Sequence, residues 1–310
     1  MTKAYQVKSP ILFLVFNRPE VTKLVFDEIR KAQPSRLYIA ADGPRGNRPD
    51  ETDLCKKVLE IVDQITWPCT VQRLVRMENL GCRDAVSGAI DWFFSNEPEG
   101  IILEDDCLPE PDFFRYCDYM LEHFRDDTRF RHVAGCNLQL GKIWNTASVY
   151  YSNQTNVWGW ASWARVWKDY DKYLSRYEAS EVEDQFAKIF SDHFAVEFWV
   201  QIFKDLKSGK IDTWDYQLTI INFFNNGLSV IPNVSLIKNI GFGKGATHTL
   251  DEANAYSQIE TGTLGQITLP KYVLPQKDAD FAVTFRELNL KEKWRVYNKP
   301  KNRIRRFLKL

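Results

Sequence analysis

The chain has 310 residues, enough to bury one large core, and its 41 Lys+Arg equal its 41 Asp+Glu, so no overall field directs it to nucleic acid and any basic surface must be local. Aromatic residues make up 14% with 10 Trp, many between Trp158 and Trp214; such rings are usually core, and flat rings also floor sugar-binding clefts. The six cysteines (Cys55, Cys69, Cys82, Cys107, Cys117, Cys136) show no Cys-x-x-Cys pair and no His at zinc spacing, and with no signal peptide and an apolar stretch at Pro10 to Phe16 too short to span a bilayer, the expectation is a cytoplasmic protein with reduced thiols.

The first part alternates strand and helix patterns, the signature of a doubly wound, mostly parallel α/β sheet. Ile11 to Phe16 is a first strand, broken by Asn17-Arg18-Pro19, with Pro19 set to open a helix to about Lys31. Arg36 to Ala41 is a second strand ending in Asp42-Gly43-Pro44-Arg45-Gly46, a turn-rich loop with a carboxylate at its mouth. A helix from about Asp50 to Ile65 leads to a third strand, Thr70 to Val75. Glu78-Asn79-Leu80-Gly81-Cys82-Arg83 follows, with Gly81 suited to a positive φ and Arg83 opening a helix through Phe94.

Gly100-Ile101-Ile102-Leu103 reads as a fourth strand buried on both faces, and Glu104-Asp105-Asp106 follow it without a break. Three adjacent anions at such a strand end cost stability unless a cation or strong donors sit beside them. Acidic residues after a strand often only cap the next helix, and Asp112 after Pro109-Glu110-Pro111 would serve that purpose by itself. The motif's company favours function. Four strands end in polar loops that could share one rim, and ligands of open α/β sheets bind at the carboxyl ends of the strands. A carboxylate there can hold a hard divalent ion that in turn holds phosphate oxygens.

After a helix from Pro111 to about Phe124 the alternation stops. Arg131 to Cys136 and Ser148 to Tyr151 read as short strands, Val157 to Trp163 as the opening of a helix, and Glu183 to Phe190 and His193 to Leu206 as helices. Trp214-Asp215-Tyr216 stands at a helix start, Leu228 to Ile231 is a strand, and Asn239 to His248 is Gly-rich. That glycine spacing is not a dinucleotide fingerprint, because no strand-helix context surrounds it. The stretch from Leu290 to Leu310 is basic, with Lys291, Lys293, Arg295, Lys299, Lys301, Arg303, Arg305, Arg306 and Lys309 meeting almost no acid. A solvated or frayed tail is the ordinary reading. With Ile304, Phe307 and Leu308 interleaved, peripheral contact with the cytoplasmic membrane face is the alternative.

Phe16-Asn17-Arg18, Ala41-Asp42-Gly43, the run from Ile102 to Tyr116 and Trp158-Gly159-Trp160 together resemble a nucleotide-sugar glycosyltransferase of the GT-A fold. The nearest similarity is to the eukaryotic β-1,2-N-acetylglucosaminyltransferases that act on mannose. The match from Glu104 to Tyr116 is the specific part, and similarity runs thinly from about Pro10 to His248. The resemblance implies a Rossmann-like, mostly parallel sheet flanked by helices, with a C-terminal acceptor-side extension. It divides the chain into a nucleotide-sugar-binding half (1–136), an acceptor and catalytic half of the same domain (137–270) and a basic tail (271–310).

By position, Asp106 resembles the family's metal ligand, and Asp105 and Glu104 the residues beside the ribose and donor sugar. Arg18 and Asp42 resemble nucleotide-base contacts, Arg83 a basic or polar donor contact, and Asp215 the catalytic base. The resemblance thus implies an inverting transferase using a UDP-sugar with Mn²⁺ or Mg²⁺. The chemistry suits these residues: oxygen-only ligation fits such an ion, and inversion needs a carboxylate within hydrogen-bond reach of the acceptor hydroxyl. Asp215 taken alone reads more readily as a helix N-cap and becomes the base only with the resemblance, with Asp212 the fallback base. A single His is more often a surface or packing residue, yet in several transferases of this fold a late His or basic loop reaches the diphosphate, which makes His248 a candidate donor or metal contact. Trp158, Gly159 and Trp160 either floor the acceptor cleft or form the core under it. The acceptor, a glycan or lipid-linked glycan, has no sequence signature. Two rivals stand beside this reading. A sugar-nucleotide pyrophosphorylase should carry a Gly-rich, basic phosphate loop directly after the first strand, where this chain has Asn17-Arg18-Pro19; a non-catalytic sugar-nucleotide or glycan binder would keep the fold and lose turnover.

Overall fold

The computed structural model describes residues 5–242 and 255–308. The elements β1 (Ile11–Val15), α1 (Pro19–Ala32), β2 (Arg36–Ala41), α2 (Glu51–Val62), β3 (Thr70–Val75), α3 (Gly81–Asn96) and β4 (Glu99–Glu104) alternate as the sequence predicts. Then come β5 (Cys107–Pro109), α4 (Pro111–His123), β6 (Phe130–Ala134), β7 (Val149–Ser152), β8 (Trp160–Trp163) and α5 (Ala164–Trp167). The remainder comprises α6 (Val182–Ile189), α7 (His193–Lys207), α8 (Asp215–Phe224), β9 (Leu228–Pro232), β10 (Ile237–Asn239), α9 (Lys277–Glu287), α10 (Leu290–Tyr297) and α11 (Pro300–Phe307).

Successive side chains of a strand point to opposite faces, so a strand covered on both sides needs an unbroken apolar run. Ile11, Phe13 and Val15 of β1 join Leu37, Ile39, Ile101 and Leu103 in a core under α1, α2 and α4. Leu12 and Leu14 join Tyr38, Ala40 and Ile102 in a second core under α3, closed by Trp160, Trp167 and Trp214. The eight strands form one mixed sheet in the order β3-β2-β1-β4-β8-β6-β9-β7. Strands β1 to β4, β6 and β9 run the same way and β7 and β8 run against them. The fold is therefore α/β with a mostly parallel central sheet flanked by helices. A small antiparallel pair, β5 with β10, lies beside it.

Two sequence expectations are corrected. Val157 to Trp163 does not open a helix: Trp160–Trp163 is a buried strand inserted antiparallel between β4 and β6, and helix begins only at Ala164. Burial on both faces makes such a strand uniformly apolar, so its period carries no signal. The stretch from Leu290, expected to be a solvated or frayed tail, is largely exposed but helical, holding α10 and α11, with α9 just before it. Ala279 of α9 packs with Tyr150, Ala134 and Ile231, and Ser152 donates a hydrogen bond to Asp280. Trp294 Nε1 of α10 donates to Asp192 Oδ2 at 2.7 Å, the same carboxylate that caps α7. Among the described residues no helix is long and apolar enough to cross a membrane.

His132 of β6 is fully buried, and its Nε2 meets the Asn156 carbonyl at 2.8 Å. Burial holds its imidazole down at about 4, against 6.5 in the open chain. Below pH 6.5 the unfolded chain therefore binds a proton that the folded chain refuses, and stability falls toward pH 4 by up to about 1.4 kcal/mol per pH unit. His132→Gln, which keeps a donor for Asn156, removes this penalty. The stability of the variant relative to the parent, from urea midpoints, is expected to rise as pH drops from 7 to 5; parallel curves would rule this out.

Candidate functional site

Because β1, β2, β3 and β4 are parallel, their carboxyl ends share one edge. Val15 is in register with Ala41, Ala41 with Val75, and Leu14 with Glu104. The loops leaving these strands wall a cavity of about 610 Å³, a size typical of small-molecule sites. Asp42, Glu104, Asp105, Asp106, Asp212 and Asp215 all line it, with Arg18, Arg45 and Arg76 as the cations.

β4 ends at Glu104, and Asp105 and Asp106 form a turn, so strand alternation does not sort the three carboxylates onto two sides. Instead Arg18, at the mouth of α1, bridges two of them. It pairs with the buried Asp105 and places Nη1 3.0 Å from Asp106 Oδ2. This is the cation that three adjacent anions require, and Arg18 also lines the cavity. Among the described residues the Glu104 carboxylate has neither an ion-pair partner nor a hydrogen bond. Burial, reinforced by the Asp106 and Asp105 charges, pushes its carboxyl well above the usual range. Burial also raises Asp105, against the pull of Arg18.

The β5/β10 pair closes this turn from the other side, with Ile240 N donating to the Asp106 carbonyl at 2.8 Å. A Cβ on Gly241 would collide with Asp106 Oδ2, so only glycine fits at that point of the wall. Asp106 Oδ1 meets, among the described residues, only the Cys107 thiol, at 3.5 Å. Among the described residues no three His, Cys, Asp or Glu side chains are grouped to hold a metal by themselves. A hard ion bound mainly by phosphate oxygens needs fewer protein ligands, and the oxygen-only donors and surplus of carboxylates fit such an ion.

Asp42 holds the opposite lip. It accepts from Asn79 Nδ2 at 2.8 Å and from Leu80 N at 3.2 Å, bonds that fix the turn in which Gly81 adopts φ +79. Burial raises its carboxyl. Arg76, the first residue after β3, lines the cavity, and its guanidinium has no ion-pair partner among the described residues. Burial lowers its pKa and the nearby Asp42 charge opposes that shift. Sequence reasoning passed over Arg76 and Arg45. Both lie where the carboxyl-edge rule would have sought them, in the loops after β3 and β2.

The third wall comes from far along the chain. Asp215 is the first residue of α8, and its Oδ1 accepts from the Thr213 hydroxyl, so it is not the N-cap, which is Trp214. Its position is set by stacked rings: His132 on Trp160 at 5.1 Å and Trp160 on Trp214 at 5.7 Å. Tyr170 Oη donates to the Trp214 carbonyl at 3.0 Å and Gln217 Nε2 to the Thr213 carbonyl at 2.7 Å. Asp212 is exposed on the same wall.

Not every expected residue is brought here. Arg83 pairs with Asp84 at 3.3 Å and lies over the Tyr173 ring at 5.4 Å, away from the cavity lining. Of the acceptor trio only Trp158 lines the cavity; Trp160 is core, and Gly159 is wedged against Ile237 and Leu103. His248 lies outside the described residues.

No protein-family model and no curated protein matches the chain. Among solved structures, a UDP-glucose pyrophosphorylase complexed with UDP-glucose is similar at 10% identity over 52% of this chain and 78% of that one, TM-score 0.32. An apo UDP-glucose pyrophosphorylase is similar at 9% identity over 73% and 90%, TM-score 0.35. The inositol-1-phosphate CTP transferase from T. maritima is similar at 12% identity over 53% and 74%, TM-score 0.32. These are nucleotidyl-transfer enzymes by name, and scores this low transfer no residue role to this chain.

Arg18→Met leaves Asp105 and Asp106 uncompensated and is expected to cost about 3 kcal/mol, the scale seen when one partner of a buried pair is removed. Adding Asp105→Asn should restore a substantial part. Urea denaturation of the two variants checks this, and additive losses would show that Arg18 does not balance the turn.

Proposed function

We propose that the chain is a metal-dependent inverting glycosyltransferase that moves a sugar, N-acetylglucosamine by resemblance, from a UDP-sugar to a hydroxyl of a glycan or lipid-linked glycan. The supporting observation is the convergence of Asp215 with Glu104, Asp105 and Asp106 in one cavity, although more than a hundred residues separate them. Asp106 would hold Mn²⁺ or Mg²⁺ through a carboxylate that Arg18 otherwise engages. When bound, the ion supplies Lewis-acid neutralisation of the charge that builds on the departing diphosphate.

The chain's own residues divide the rest. Asp215 takes the proton of the acceptor hydroxyl as the new glycosidic bond forms and the bond from the anomeric carbon to the diphosphate breaks, UDP leaving with the electron pair. The Thr213 hydroxyl occupies one Asp215 oxygen, which orients the other for that proton. Arg76 and Asp42 would meet the nucleotide, and Trp158 the acceptor or donor sugar; all three line the cavity.

A second reading, sugar-nucleotide pyrophosphorylase, is the one favoured by the names of the similar structures. It requires cations for pyrophosphate. Among the described residues Arg18 is committed to Asp105 and Asp106, Arg45 is held by Glu51, and six carboxylates face three guanidinium groups. The two reactions separate in one assay. Purified protein with a panel of nucleotide sugars and Mn²⁺ is expected to release nucleoside diphosphate; formation of nucleoside triphosphate only when pyrophosphate is added would establish the second reading.

Two variants test the roles. Asp106→Ala is expected to lose metal-dependent UDP binding by at least about tenfold, which is about 1.4 kcal/mol; calorimetry with and without Mn²⁺ measures it, and intact affinity would remove Asp106 as the ligand. Asp215→Asn is expected to keep UDP affinity while transfer falls by about 10²-fold or more. Undiminished transfer would move the base elsewhere, Asp212 first.

A further inference from the structure

Charge is unevenly distributed along this neutral chain. Residues 290–310 carry nine Lys or Arg and one Glu, a net +8, which leaves −8 on the other 289 residues. All eight Lys and Arg between 290 and 308 are exposed, and among them only Arg295 has an ion-pair partner, Glu292, within the described residues. The same stretch exposes three large apolar side chains, Val296 at 39%, Phe307 at 88% and Leu308 at 55%, the last two adjacent. The patch is fixed to the body. Arg306 lies over the Tyr297 ring at 3.4 Å and donates to the Tyr297 carbonyl at 2.7 Å, folding α11 onto the end of α10. Trp294 ties α10 to α7 through Asp192.

We infer that the α10–α11 end is a docking surface for an anionic lipid leaflet, with Phe307 and Leu308 entering the interfacial layer and the surrounding Lys and Arg meeting headgroup phosphates. A merely solvated basic face has no use for an exposed Phe-Leu pair, and a nucleic-acid backbone rewards the cations alone. A lipid interface rewards both, because apolar side chains leave water while cations stay at the charged headgroups. The acidic remainder adds direction. A body of net −8 is repelled by the surface that attracts its +8 end, so the protein docks by this end with the rest held away. The inference does not depend on the transferase reading.

The test is cosedimentation of the 310-residue chain with vesicles of phosphatidylglycerol and phosphatidylcholine, or of phosphatidylcholine alone. Partition is expected to be at least about tenfold stronger on the anionic vesicles at about 0.1 M salt and to collapse near 1 M, where the Debye length shrinks to about 3 Å. Phe307→Ser with Leu308→Ser should weaken anionic-vesicle binding about tenfold while leaving retention on a short RNA duplex unchanged. Lys301→Ser with Arg303→Ser and Arg305→Ser should weaken both. Unchanged melting temperatures confirm that the substitutions, all at exposed positions, act on docking. Equal partition onto both vesicle types overturns the inference. So does anionic-vesicle binding that ignores the Phe307 and Leu308 changes, which would mark a general polyanion surface.

Discussion

The site depends on one compensation: a single guanidinium set against three consecutive carboxylates at the end of a strand with no water on either face. β4 is buried by two cores, so Glu104, Asp105 and Asp106 emerge from low dielectric, where mutual repulsion is poorly screened. Arg18 reaches them because β1 lies beside β4 and ends level with it, Leu14 opposite Glu104. The compensation is incomplete. Asp105 is neutralised, Asp106 shares the same guanidinium, and the Glu104 carboxylate has no partner among the described residues. A surplus of negative charge in a walled cavity favours a bound cation, and a cation there favours a phosphate-bearing ligand.

A different force sets the far wall. Asp215 is held by ring stacking and carbonyl hydrogen bonds, both insensitive to the ionisation state of the cavity. The His132, Trp160 and Trp214 stack runs from the centre of the sheet to the start of α8, so the residue proposed as base is tied to β6 and β8. Offset aromatic pairs contribute roughly 0.5–1.5 kcal/mol each beyond their burial. Their greater effect is geometric, since a flat ring stacked on a buried one has little freedom to tilt. The Trp-rich segment that reads from sequence as cleft or core is thus mostly core, and it bears on the cavity through the placement of Asp215.

The sheet strands β1 to β4 were legible because burial on both faces writes unbroken apolar runs, and the polar residues that end those runs marked the rim. Arg18, Asp42 and the three carboxylates were found that way. Arg76 obeys the same rule and was passed over for Arg83, which stands at a more conspicuous helix start. The turn through Gly81 then carries Arg83 toward Asp84 and Tyr173. β8 was read as helix because four consecutive buried residues have no usable period. β5 and β10 are three residues each, too short to leave any pattern. The order of the tail rests on contacts such as Trp294 with Asp192, 102 residues apart, and no local signal reports contacts of that range.

The charge of the cavity also bears on which reaction it suits. Pyrophosphorolysis brings a free pyrophosphate beside the nucleotide and needs cations not already engaged by the protein. Among the described residues that line the cavity, Arg18 and Arg45 are paired with carboxylates of the chain, which leaves the Arg76 guanidinium. Transfer from a nucleoside diphosphate sugar asks for less positive charge, one divalent ion, and a carboxylate aimed at an incoming hydroxyl. A base such as Asp215 has an evident task in that reaction, because a proton must leave the attacking oxygen. Attack by pyrophosphate, whose oxygens are already ionised, gives the same carboxylate nothing to accept. The presence of a second, independently held carboxylate in the cavity is therefore the feature that favours transfer to a hydroxyl.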